Sequence, residues 1–255
     1  MLTPPDVYTC QFFASTCTVY SPAGKVLRTL TSADGINNPQ GIHVAANGNW
    51  YVADTGANEV LILAPGGTST VGSLGTYYPV DVATSGNVVA VSVGGQSPGV
   101  TVFVNSKQSS SLTDTRTLTP GGVAFDSHGN CYWAFNDATG AGRVDKFTAC
   151  AGQPVDLGFD LNYVAGIAFD SSDNLLVNDV FMGTYVCKGT SNCVLTFTGF
   201  LQPLMLNFAR GATDLVEDDG VGAVTVRRYP SGKVGLTIQT GTQTSGAALS
   251  TSNAH

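Results

Sequence analysis

Few residues in this chain have a wide chemical repertoire. Of three histidines, only His43 lies inside an alternating hydrophobic stretch; His128 sits in a glycine-containing turn and His255 is the last residue. His43 is therefore the natural candidate for acid–base work near neutral pH. It shares a repeat position with Asp81 and Asn207, each the third residue of a predicted inner strand, where the other repeats carry Ala124, Ala168 and Ala248. A polar cluster there would hold water or an ion, or house a general base. The plainer reading makes His43 a hydrogen-bonded link between neighbouring repeats.

Asp54, Asp179 and Asp218 are assigned to a second shared position, each just before a turn. Carboxylates converging from several repeats would suit a hard cation, Ca²⁺ or Mg²⁺, through oxygen ligands. The competing reading is local, because an Asp before a tight turn accepts backbone N–H groups. Tyr77, Tyr78, Tyr163 and Phe181, with Asn136 and Asp137, fall in loops and turns assigned to one face. Aromatic faces there would stack on a sugar or another flat ligand. Packing between repeats is the alternative. The chain has no nucleophile elbow, phosphate loop, dinucleotide fingerprint or H-E-x-x-H motif.

The elements that must position these residues show up as a repeat. Gly41-Ile42-His43-Val44-Ala45, Asn49-Trp50-Tyr51-Val52-Ala53-Asp54 and Glu59-Val60-Leu61-Ile62-Leu63 read as three short alternating strands joined by turns. The apolar marker of the first strand returns at Ile42, Val80, Val123, Ile167, Leu206 and Ala247, at spacings of 38, 43, 44, 39 and 41. A period near 40 with four strands per unit predicts an all-β, six-bladed β-propeller of four antiparallel strands per blade. Asp6-Val7-Tyr8-Thr9-Cys10 aligns with Asn49-Trp50-Tyr51-Val52-Ala53, so the chain starts at a second strand. Residues 246–250 then supply the missing inner strand and close the ring. The predicted blades are 246–250 with 6–34, then 38–76, 77–118, 119–161, 162–201 and 202–242, forming a single domain.

Asn38-Pro39-Gln40-Gly41-Ile42-His43-Val44, followed by Gly48-Asn49-Trp50-Tyr51-Val52-Ala53-Asp54-Thr55-Gly56, resembles an NHL repeat. Blades four and five match in part, and blades three and six keep only the outline. The resemblance implies a propeller fold. It leaves the activity open, since NHL-like propellers include extracellular binding modules, lactonases, amidating lyases and streptogramin lyases. The lactonases hold a metal with a glutamate early in the chain. Here Glu59 and Glu217 are the only glutamates, and neither opens an inner strand.

Composition narrows the partners. The net charge of −7 and pI near 4.6 disfavour nucleic acid, and no apolar run is long enough for membrane insertion by a helix. Cys10/Cys17, Cys131/Cys150 and Cys187/Cys193 form close pairs with no C-x-x-C, which predicts disulfides in preference to zinc. The expected setting is secreted, periplasmic or otherwise extracellular, with the chain read as a mature form lacking a signal peptide. Three functions stand open: a binding module taking a small molecule, carbohydrate or protein at the channel mouth, a metal-dependent hydrolase or lyase, and a structural subunit of a larger assembly.

Overall fold

A computed structural model describes residues 5–198, the backbone of 206–208, and residues 214–241 and 243–250. The chain forms six four-stranded antiparallel sheets arranged as the blades of a β-propeller. Blade two is representative: Pro39–Val44 is innermost, followed outward by Trp50–Asp54, Glu59–Leu63 and Thr70–Gly75. Strand propensity is local and strong. Val88-Val89-Ala90-Val91-Ser92-Val93 in blade three alternates β-branched residues and leads back through a two-residue turn, with Ser85 paired to Val88 and Gly86 at φ 59°.

Ring closure follows the predicted register. Gly246–Leu249 pairs antiparallel with Val7–Gln11, matching Val7 to Leu249 and Cys10 to Gly246. The Ser250 N–H donates to the Asp6 carbonyl and the Ser245 N–H to the Cys10 carbonyl, both at 2.9 Å. The Ser245 hydroxyl also reaches the Pro39 carbonyl of blade two at 2.7 Å.

The glycine that precedes four of the six apolar markers, Ile42, Val123, Ile167 and Ala247, has a steric cause. A Cβ on Gly41 would run into Asp81 of blade three, one on Gly122 into the backbone around Gly166 and Ile167, and one on Gly246 into the Gln40 carbonyl. Inner strands of neighbouring blades therefore approach at backbone distance, and only glycine permits it.

Apolar clusters fill the seams between blades. In the first, Tyr8 and Trp50 stack with ring centroids 4.9 Å apart, over Leu30, Ile36 and Leu63. Trp50 and Trp133 are fully buried, each with its indole N–H satisfied, by the Ala64 carbonyl and the Ser92 hydroxyl. Polar straps cross the same seams. The Asp81 carboxylate accepts the Val123 N–H, Thr184 donates to Glu217, and the Gln11 amide donates to the Thr240 carbonyl.

All six cysteines form the three predicted disulfides. Cys10–Cys17 and Cys187–Cys193 each join directly opposed residues of one hairpin, and Cys131–Cys150 ties blade four to the turn after its third strand. Three disulfides point to an extracellular or periplasmic setting. Among the described residues no helix is long and apolar enough to cross a membrane.

Candidate functional site

The inner strands carry two cavities in succession. The first lies where the strands begin, next to Gln40, Val80, Gly121, Ala165 and Ser245. It has a volume of about 310 Å³, and its aromatic wall is Phe12, Phe13 and Tyr163, with Pro120 between. Phe12 and Phe13 occupy the turn after the second strand of blade one, so the register that closes the ring also brings them to the mouth. Their rings meet edge to face, 5.2 Å between centroids, and Phe13 keeps 76% of its surface exposed. The polar lining is neutral: the Gln40 and Gln243 amides and the Thr119 hydroxyl.

The aromatic residues expected at this face are there. Tyr163 lines the cavity, and Phe181, 71% exposed, stands 6.3 Å from it between ring centroids. Tyr78 packs over Gly94 and Tyr77 over Gly95, each with an exposed face.

Asn136 and Asp137 have other duties. Asn136 is buried, and its amide exchanges two hydrogen bonds with Val164 of blade five: the side chain donates to the carbonyl at 2.9 Å and accepts the N–H at 2.8 Å. It is a seam between blades and does not face the mouth cavity. Asp137 organises its own turn, accepting from the Thr139 hydroxyl and N–H and from Arg143. Thr139 and then Arg143 hold its carboxyl well below the usual range.

The second cavity lies further along the same strands. It measures about 160 Å³ and is walled by Ile42, Val82, Val123, Ile167 and Ala247, with His43 and Asp81 as its titratable groups. The shared inner position thus does bring His43 and Asp81 to one space. The third member, Asn207, lies on the strand Leu206–Phe208 opposite Val216, and its side chain falls outside the described residues.

Burial pushes the His43 imidazole down to about 4, so it is neutral at physiological pH. Burial also raises Asp81 to about 7, opposed by the N–H groups of Val123 and Val82. Among the described residues the His43 imidazole makes no hydrogen bond, and a polar link between blades at this position is made by Asp81.

Asp54, Asp179 and Asp218 each accept local hydrogen bonds. Asp54 accepts the Asn37 N–H with both oxygens, Asp179 accepts from Asn162, Phe181 and Met182, and Asp218 accepts the Gly220 N–H. The Asp54 and Asp179 carboxylates are directed to N–H groups in the loops and turns next to their own strands. Among the described residues no group of three His, Cys, Asp or Glu side chains comes together as metal ligands. Burial raises Asp54 to about 6, against the Asn37 hydrogen bond.

Other perturbed groups sit away from both cavities. Arg116 gathers Asp114, Asp145 and Asp156, and burial together with the adjacent Asp114 raises Asp145 to about 7. Burial likewise raises Glu217, partly offset by Thr184 and Arg227.

Sequence reasoning missed Phe12, Phe13, Gln40 and Gln243. A usable signal was present for the two phenylalanines, since they follow Gln11 as Thr55 and Gly56 follow Asp54.

No family model matches the sequence, and no curated protein matches it. Solved structures share the fold. Hydrazine synthase of Kuenenia stuttgartiensis superposes with a TM-score of 0.66 at 12% identity, over 92% of this chain and 84% of that one. Virginiamycin B lyase from Staphylococcus aureus gives 0.65 at 11% identity, over 92% and 84%. A streptogramin B lyase gives 0.60 at 12% identity, over 92% and 73%. At such identities the likeness establishes the β-propeller fold and nothing about chemistry.

Proposed function

We propose that this protein is a secreted binding module that holds a small, uncharged, partly apolar ligand in the mouth cavity. One observation carries the reading: a concave space of about 310 Å³ bounded by Phe12, Phe13, Tyr163 and Pro120, with amide and hydroxyl groups and no carboxylate or cation in its lining. An apolar pocket with a few directed polar groups is the usual form of a small-molecule site. The neutral lining gives such a ligand orientation without supplying an acid or base for turnover.

The direct test is ligand capture from a library of neutral metabolites, followed by titration of the best binder into wild type, Phe13→Ser and Tyr163→Ala. The expected result is a loss of roughly tenfold or more in affinity for each variant, as for a stacked aromatic contact plus its buried area. Equal affinity in all three proteins overturns the reading.

A second reading is supported by the axial cavity, where a neutral imidazole and a carboxyl that titrates near 7 line one space. That pairing suits a hydrolase or lyase acting on a small substrate. Metal analysis and a lactone and ester screen, run with and without chelator on wild type and His43→Gln, test it. Turnover that His43→Gln leaves unchanged would remove the axis from consideration.

A further inference from the structure

We propose that a groove on blade three, beside the mouth cavity and separate from it, is a second binding site, and that it takes a neutral oligosaccharide. The groove has a volume of about 620 Å³, the largest of the cavities described above. Tyr77 forms one wall and keeps 63% of its surface exposed. Its ring is held from behind: a Cβ on Gly95 would collide with it, so the glycine supplies a flat seat and leaves the outer ring face open. Tyr78 is seated on Gly94 in the same way, and the groove and the mouth cavity share no lining residue.

The rest of the lining is polar and uncharged. Gln96 and Gln108 contribute amides, and Ser97, Ser111 and Thr113 contribute hydroxyls. Among the described residues the side chains of Gln96, Ser97 and Thr113 make no hydrogen bond, and the Gln108 amide makes only a 3.5 Å contact with Ser111. Their donors and acceptors are open to a ligand. A primary amide offers both a donor and an acceptor at one planar group, as a sugar hydroxyl pair does. The tyrosine face matches the C–H-rich side of a pyranose ring. No carboxylate, lysine or arginine lines the groove, so nothing there selects an anion or a cation. The volume of about 620 Å³ suits several sugar units in preference to one. The proposal does not depend on what the mouth cavity holds.

The test is calorimetric titration of the intact protein with four neutral hexasaccharides (β-1,4-linked glucose, xylose, mannose and N-acetylglucosamine), with hexagalacturonate as the charged control. At least one neutral sugar is expected to bind with Kd of about 1 mM or tighter, with Tyr77→Ala weakening it about tenfold or more and Gln108→Ala by a smaller factor. Phe13→Ser is expected to leave this affinity unchanged. Thermal unfolding of Tyr77→Ala checks that the variant is folded. Failure of every neutral hexasaccharide to saturate at about 10 mM overturns the proposal. So does stronger binding of the charged control, or binding that Phe13→Ser abolishes and Tyr77→Ala spares. That last pattern would put the sugar in the mouth, and the mouth reading would survive.

Discussion

Where the inner strands begin, Phe13 and Phe181 stand exposed, and Phe12 and Tyr163 half-buried, around a cavity without charge. A few residues further along the same strands, His43 and Asp81 face a narrower space walled by aliphatic side chains. Both regions come from one repeat, yet their physical costs run in opposite directions. At the axis, polar groups are withdrawn from water, and the structure recovers something for at least one of them: Asp81 bonds across a seam to Val123. At the mouth, apolar rings are left in water with little packing in return. A feature that burial and strand pairing do not require is the better place to look for binding.

The sharpest way to break the axial region is to remove its last strand. Deleting residues 246–255 takes away the four residue pairings with Val7–Cys10 and the buried side chains of Ala247, Ala248 and Leu249. It leaves Val7 and Tyr8 on an open edge. The expected loss exceeds about 5 kcal/mol, which is comparable to the whole stability of a typical domain, so the truncated protein should unfold or aggregate. Circular dichroism and chemical denaturation check this. A cooperative transition within about 1 kcal/mol of wild type would show that the ring does not need its closing strand.

The titratable axial pair provides the next test, with smaller effects of opposite sign. The folded pKa of His43 lies below its unfolded value, so its contribution is fully present above about pH 6.5 and is lost as pH falls towards about 4. The folded pKa of Asp81 lies above its unfolded value, so its contribution is fully present below about pH 4 and is lost as pH rises through about 7. His43→Gln should therefore gain stability relative to wild type on going from about pH 7.5 to about pH 4.5, on the order of 1–3 kcal/mol. Asp81→Asn keeps an acceptor for the Val123 N–H and should show the reverse, gaining on wild type as pH rises. Urea unfolding at the two pH values measures both differences, and contributions from other groups such as Asp145 cancel between variant and wild type. Differences that do not change with pH would mean that these side chains titrate as they do in water.

The contrast between the two regions also explains what could be read in advance. Blade number, register and closure are written in periodic apolar residues and in glycines such as Gly41 and Gly246, because packing at backbone distance restricts those positions severely. The shared inner position was legible for the same reason, and His43 and Asp81 do meet one cavity. Which polar residues are consumed by neighbours was not legible. Asn136 looked available for a ligand, but its amide is taken by Val164 across a seam, a partner 28 residues away. Asp54 and Asp179 shared a repeat position but not a common target, because each finds N–H groups in the loops next to its own strand first. Phe12 and Phe13 align with Thr55 and Gly56 of blade two, so the repeat gives their place after the second strand but not that aromatic rings would stand there.

The smallest expected effect is the one that most directly separates the two regions. If the mouth aromatics are there for a ligand, removing them should cost the fold almost nothing. Phe13→Ser trades a ring that is 76% exposed for a hydroxyl in water, and Phe181→Ser does the same for one that is 71% exposed. Each should change unfolding free energy by no more than about 0.5 kcal/mol, and the pair by about the sum. By contrast, Phe135 and Phe147 in blade four are fully buried, and truncating either to alanine should cost about 3–5 kcal/mol. Denaturant titration of the four variants side by side makes the comparison internal to one protein. A loss above about 1 kcal/mol for Phe13→Ser would place that ring among the packing residues, because a side chain exposed to that extent has little packing to lose.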